Sequence, residues 1–174
     1  MSASWTHNLL DRREDLTISY ENEGWTVQGI VSGIDIHYVI RLNASWQVRQ
    51  MLLFRDLDQP DLWLANDGTG RWGEVNGVVR RELGGCEDVD VRCSAMTPVL
   101  AIRRLSMQGS RTATVHSVVV DPDSLEISRA QILYTRLGTH RWRVDRDDGL
   151  ESHDVDVDRY GLPVAVPGGF ERIS

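Results

Sequence analysis

Asp88, Asp90 and Arg92 alternate with Val89, Val91 and Cys93 inside the segment Leu83–Arg104, LGGCEDVDVRCSAMTPVLAIRR. An extended backbone sets the first three on one face and the second three on the other. Such a polar row can face solvent, pair internally with Arg103 or Arg104, or orient two carboxylates toward a sugar or a cation. A glycosidase does not follow, because that reaction needs carboxyl groups on opposite sides of a bond and these two share a parity. Arg103 and Arg104 are adjacent, so in an extended chain they point oppositely and one serves the interior. Its planar guanidinium can hold a phosphate or carboxylate headgroup through paired donors, or stack over a tryptophan.

His116 lies in a strand-like run with Thr112 and Thr114 on its parity, and none of His37, His116, His140 and His153 has metal-ligand spacing. Gln131 and Tyr134 differ by three, which puts them on opposite faces of a strand. Tyr134 then packs with Ala130 and Ile132, leaving Gln131 and Arg129 as a polar pair. Trp46, Trp63, Trp72 and Trp142 lie in or beside strands, where they can line a groove for an acyl chain, stack on a sugar ring or fill a wide core. No GxSxG elbow, phosphate loop or CxxC motif is present, so no catalytic residue, metal or cofactor is expected.

The elements that must position these residues read as strands. Leu16–Tyr20 and Trp25–Ser32 form an opening hairpin around Glu21–Gly24, and Ile36–Leu42 alternates apolar Ile36, Tyr38, Ile40 and Leu42 with the rest. Asn43–Ser45 turns into Trp46–Arg55, where Trp46, Val48, Leu52 and Phe54 share a parity. Leu62–Ala65 is a short strand before the cluster NDGTG, and Asn76-Gly77 turns Trp72–Val75 into Val78–Arg81. Arg111–Val120 and Leu125–Leu137 flank the turn Asp121-Pro122-Asp123-Ser124, and Val155–Asp158 with Leu162–Val166 make a last hairpin that stops at Pro167-Gly168-Gly169. Tyr38-x-x-Arg41-Leu42 before Trp46-x-Val48 is echoed by Tyr134-x-Arg136-Leu137 before Trp142-x-Val144. Met96–Gln108 is the only candidate helix, with Thr97 as cap and Pro98 in the first turn, but the alternation within it favours a link that enters a strand near Ile102.

At 174 residues the chain suits one all-β domain, 1–174, with little helix. The 26 acidic residues against 19 scattered basic ones give a charge of -7, which disfavours nucleic acid as a partner. The opening residues lack the pattern of a secretion signal, no apolar run has membrane-spanning length, and a cytoplasmic location with Cys86 and Cys93 as reduced thiols is expected.

Leu83-x-Gly85-Cys86-x-Asp88-Val89-Asp90, Thr97, Ile102-Arg103-Arg104-Leu105, Gln131-x-x-Tyr134 and Val157-Asp158-x-x-Gly161-Leu162-Pro163 together resemble the Putative glycolipid-binding family of small bacterial and archaeal proteins. Where that family carries Thr-Pro-Phe-Thr-Asn and then Pro-Ile-Arg-Arg-Leu, this chain has Pro98 at the asparagine and Ala101 at the proline, losing an amide that both donates and accepts. The resemblance implies a strongly curved antiparallel sheet, rolled into a barrel-like spiral around a groove. It also implies an amphiphilic partner such as a glycolipid, bound without catalysis by residues drawn from Asp88, Asp90, Arg103, Arg104, His116, Arg129, Gln131, Tyr134, Trp46 and Trp142. The competing readings are a structural or interaction module, with a homodimer burying Trp5 or Trp25, and a hydrolase or isomerase built on Asp88, Asp90 and His116.

Overall fold

The computed structural model describes residues 1–55, 59–97, 100–166 and 169–174. An antiparallel meander runs through β1 (Ser2–His7), β2 (Arg13–Glu21), β3 (Gly24–Ser32), β4 (Ile36–Asn43), β5 (Val48–Phe54), β6 (Leu62–Asn66) and β7 (Trp72–Glu74). One turn of 3-10 helix, Arg81–Leu83, then leads to β8 (Asp88–Val91) and helix α1 (Leu100–Met107). A second meander returns through β9 (Thr112–Val120), β10 (Ile127–Arg136), β11 (Arg141–Arg146), β12 (His153–Val157), β13 (Pro163–Val166) and β14 (Phe170–Arg172).

All 14 strands belong to one sheet, in the order β7-β6-β5-β4-β3-β2-β1-β14-β13-β12-β11-β10-β9-β8. The halves meet at the β1–β14 ladder, where Trp5 faces Arg172 and His7 faces Phe170. Two features of the expected barrel-like roll need correction. The order is linear rather than closed, with β7 and β8 as its edges, and β8 runs parallel to β9. The edges are bridged instead by isolated hydrogen bonds, Trp72 Nε1–H to Cys86 O at 2.9 Å and Gly85 N–H to Gly70 O at 2.9 Å.

The crossing segment packs against the inner face of the sheet: Leu83, Met96, Leu100, Ile102 and Leu105 are buried in one core with Trp5, Trp46, Trp72, Trp142, Tyr38 and Tyr134. Trp63 is only half-buried. Trp5 is fully enclosed, its Nε1–H donating to Pro163 O at 2.9 Å, so a dimer contact through it is ruled out.

Local chemistry explains the turns. Asn43 Oδ1 accepts the N–H groups of Ser45 and Gln47, and Asp121 Oδ1 accepts those of Asp123 and Ser124. After the Asn43 turn the expected parity fails. Arg41 faces Gln50 while Leu42 faces Val48, leaving Arg49 as an extra bulged residue. Val48 therefore points inward with Met51 and Leu53, and Leu52 and Phe54 fall on the outer face.

The expected strand from Ile102 is also corrected. Residues 100–107 are helical, and Leu100, Ala101, Arg104 and Leu105 recur at the spacing of one helix face. The helix stops near Gly109, whose φ of +70° suits a residue without Cβ. An apolar run this short fits both periods, and a local turn precedes the helix, in which Ser94 Oγ accepts Met96 N–H and Thr97 N–H. The proposed first-turn Pro98 and the Pro167-Gly168 stop lie outside the described residues.

Gly29 sits mid-strand because Tyr38 lies flat across it on the way to β2. A Cβ on Gly29 would stand 2.1 Å from Tyr38 Cζ. Gly29→Ala should therefore displace the ring and cost about 2–4 kcal/mol, combining overpacking with a lost buried hydrogen bond. Urea unfolding measures this, and in a Tyr38→Leu background most of the penalty should disappear.

Candidate functional site

β8 presents its carboxylates to the interior rather than to solvent. Asp88 is 2% exposed and Asp90 3%, so the solvent-facing alternative is excluded. The row stands opposite Ser117 and Val119 of β9, the inward face of that strand. Asp88 Oδ2 accepts Arg104 Nη2 at 2.6 Å, with Glu87 Oε2 2.9 Å from the same nitrogen. Asp90 Oδ2 lies 2.7 Å from Arg146 Nη2, and Thr97 Oγ1 donates to Asp90 Oδ1 at 3.3 Å. Arg146 also forks onto Asp148, which Arg92 meets from the exposed side.

Burial pushes the Asp88 carboxyl up against the pull of Arg104. Burial also opposes the Arg146 charge, but Asp148 and Asp90 hold that guanidinium firmly protonated. Tyr134 stands in the same interior, its phenol pushed up by burial and by Asp88 and Asp90. Asp88 Oδ1 and Arg104 Nε are buried with no hydrogen-bond partner among the described residues.

Because α1 is a helix, Arg103 and Arg104 diverge by its rotation rather than by strand alternation. Arg104 enters the core, while Arg103 lies 4.1 Å over the ring of Trp46 and 5.4 Å over Trp25. Trp142 is buried and carries Arg136 at 5.9 Å. The two echoed segments thus each place an inward tyrosine and a buried tryptophan under an arginine.

His116, Gln131 and Arg129 do not join this interior. His116 pairs with Gln131 across β9 and β10, with Nε2 and Oε1 3.3 Å apart, and exposed Arg129 donates to Gly84 O at 3.2 Å. The ten residues singled out from the sequence therefore divide between a packed interior and the opposite face. A hydrolase or isomerase joining Asp88, Asp90 and His116 in one cleft is not assembled.

A second buried centre escaped the sequence reading. Glu14 on β2 is fully buried; its Oε1 accepts Tyr38 Oη–H at 2.6 Å and Ser94 Oγ–H at 2.6 Å, and its Oε2 accepts Ala95 N–H at 2.7 Å. Burial pushes its carboxyl up despite these donors. A usable signal existed, since Glu14 shares its parity with Leu16 and Ile18. Arg146 likewise shares that of Trp142 and Val144.

The Asp90–Arg146 pair and Ser94 form the floor of a pocket of about 300 Å³. Leu10, Leu150, Val166 and Phe170 give it apolar walls, and Arg12, Arg92, His7 and His153 also line it. His7 packs edge-on against Phe170 and accepts the N–H groups of Leu9 and Leu10 at Nδ1. His153 Nδ1 is 3.1 Å from Glu151 O, a carbonyl that can only accept, so Nδ1–H donates there. The buried Nε2 has no partner among the described residues. Cys93 also lines the pocket, but burial pushes its thiol up to about 12, as it pushes Cys86 to about 11, and both are free. Among the described residues no group of three or more His, Cys, Asp or Glu side chains is arranged to hold a metal ion, and no helix is long and apolar enough to cross a membrane.

Residues 2–172 match the family described as "Putative glycolipid-binding". The crystal structure of a DUF1089 family protein from Pseudomonas aeruginosa is similar with a TM-score of 0.73 and 24% identity, covering 99% of this chain and 94% of that one, which establishes a shared fold. No curated protein matches the sequence.

Glu14 gives the pocket's backing wall a definite pH dependence. Its raised value means that its contribution to stability is fully present below 4.5, the ordinary value for glutamate, and is lost as pH rises through the folded value. Glu14→Gln removes that titration and sets an amide against Ala95 N–H. The stability advantage of wild type over the variant, measured by urea unfolding, should be greatest near pH 4 and shrink toward pH 8.

Proposed function

The chain belongs to this family, and from that premise we propose that it binds an uncharged, hydroxyl-rich amphiphile of the glycolipid class in the pocket floored by Asp90 and Arg146. The observation that carries the reading is the division of the lining. A charged, hydrogen-bonding floor lies beneath walls made by Leu10, Leu150, Val166 and Phe170. Sites of this kind combine mostly apolar walls with a few fixed polar groups, and a volume of about 300 Å³ stands at the small end of their range. That space suits a sugar headgroup, with the first methylenes of a chain leaving over the exposed side of Leu10 and Leu150.

Each floor group has a matching role. The Asp90–Arg146 pair is mutually neutralised and can exchange hydrogen bonds with hydroxyl groups. His153 Nε2 has no hydrogen-bond partner among the described residues, and a sugar hydroxyl, which both donates and accepts, would supply one. Phe170 provides a ring against which a sugar's C–H face can pack.

The test is a two-dimensional NMR titration with octyl glucoside below its micelle concentration. Saturable shifts should concentrate at His7, Leu150, His153 and Phe170. Leu150→Asp should weaken binding by about tenfold or more, the scale of losing one buried leucine contact. Absence of saturable shifts at these residues, or equal shifts at remote exposed apolar positions such as Ile30 and Val78, would overturn the assignment.

A further inference from the structure

At the other end of β11, roughly 17 Å from Arg146 along the strand, three arginines converge on a groove of about 390 Å³ between α1 and the turn that joins β12 to β13. They are Arg103, Arg136 and Arg159, and His140 stands with them. We propose that this groove is an anion site that takes a phosphate group, separate from the amphiphile pocket.

Positive charge is left without a paired carboxylate at few fixed positions among the described residues. The net charge is -7, and all 19 basic residues are arginine. Most arginines that settle in a fixed position do so against a carboxylate, as Arg13, Arg55, Arg80, Arg141 and Arg172 do. The three in the groove have no carboxylate at ion-pair distance among the described residues and are held by neutral groups instead. Arg103 donates to Tyr160 O and lies over Trp46. Arg136 donates to Gly138 O at 3.1 Å and Thr139 O at 3.4 Å, and Arg159 donates to Tyr160 Oη at 2.7 Å.

The groove does contain one carboxylate among its described lining residues, Asp158, and that group is occupied. Its Oδ2 accepts Arg172 Nη1 at 2.5 Å, while its Oδ1 accepts Tyr160 N–H and Leu162 N–H. Burial pushes the Arg103 guanidinium down, and Asp158 offsets only part of that effect. A half-buried cation held without its own counter-charge gains most from an incoming anion.

Geometry favours phosphate over a carboxylate. Arg103, Arg136 and Arg159 line one concavity from α1, the end of β10 and the β12–β13 turn. A tetrahedral anion with three terminal oxygens can engage all of them, whereas a carboxylate presents two. The turn beside the groove is fixed by its backbone: Gly161 has a φ of +78°, a conformation that favours glycine, and the Arg103 stem lies at van der Waals distance from it.

Isothermal titration and NMR of the whole chain at low ionic strength, using inorganic phosphate, glycerol 3-phosphate and acetate as probes, test the assignment. Phosphate should bind with a dissociation constant on the order of 1 mM or below, shift the amides of Thr139, His140 and Gly161, and outcompete acetate. Arg159→Ala removes an exposed side chain; it should leave the thermal midpoint unchanged and weaken phosphate binding by about tenfold. Glycerol 3-phosphate binding tenfold tighter than phosphate would identify an esterified headgroup, and equal affinity a free phosphate. No saturable shift at these amides, or an unchanged affinity in Arg159→Ala, would overturn the proposal. Neither result bears on the octyl glucoside titration, because that probe is uncharged and reports at the opposite end of β11.

Discussion

Asp90–Ala95 is gripped from two sides by buried charge. Glu14 on β2 receives Ser94 Oγ–H and Ala95 N–H, and Arg146 on β11 reaches Asp90. β2 and β11 belong to different halves of the strand order, so one short segment fastens both halves at once. The inward direction of β8 and the floor of the pocket beside His153 both rest on that double attachment. A buried ion pair such as Asp90–Arg146 contributes little net stability over a well-packed apolar substitute, but removing one partner leaves the other stranded. Their value here is geometric, since an apolar core alone would not set where the crossing segment lies along the sheet.

That segment also decides what kind of cavity the molecule can have. Leu100, Ile102 and Leu105 fill the inner face, so the large space a curled sheet might enclose is occupied by the chain itself. Two of the cavities lie at the two ends of β11. At one end the floor is charge-paired and the walls are apolar; at the other, Arg103, Arg136 and Arg159 have no carboxylate at ion-pair distance among the described residues. The same fold thereby keeps apart two cavities of unlike chemistry that a single central groove would have mixed.

Much of this architecture was legible in alternation alone. Ile36–Leu42 reads as a strand with one buried face and is one, and the turns at Asn43, Asn76-Gly77 and Asp121 are written in their side chains. What failed did so for identifiable reasons. The bulge at Arg49 inserts one residue with no compositional mark, so the parity of β5 inverts. Leu100–Met107 satisfies both the helical and the extended period, so its pattern does not choose between them. Pairing with Arg104 is one of the alternatives the sequence leaves open for the Asp88 and Asp90 row, and Asp88 takes it, whereas the partner of Asp90, Arg146, lies far along the chain on β11. Glu14 and Arg146 were visible as charged residues on apolar faces, a pattern that marks buried pairing more reliably than any run of charge.

The ladder between β1 and β14 has a kinetic meaning as well as a structural one. Trp5 Nε1 bonds Pro163 O across 158 residues of chain, and the strands that join the halves are of similar separation. Each meander pairs neighbours through short turns and can form locally, but the junction closes a loop nearly the length of the chain, with the entropy that entails. The middle of the finished sheet is therefore the last part to be made. Until it forms, β1 and β14 are both bare edges, and the point where the halves meet is where a second copy could exchange strands during assembly.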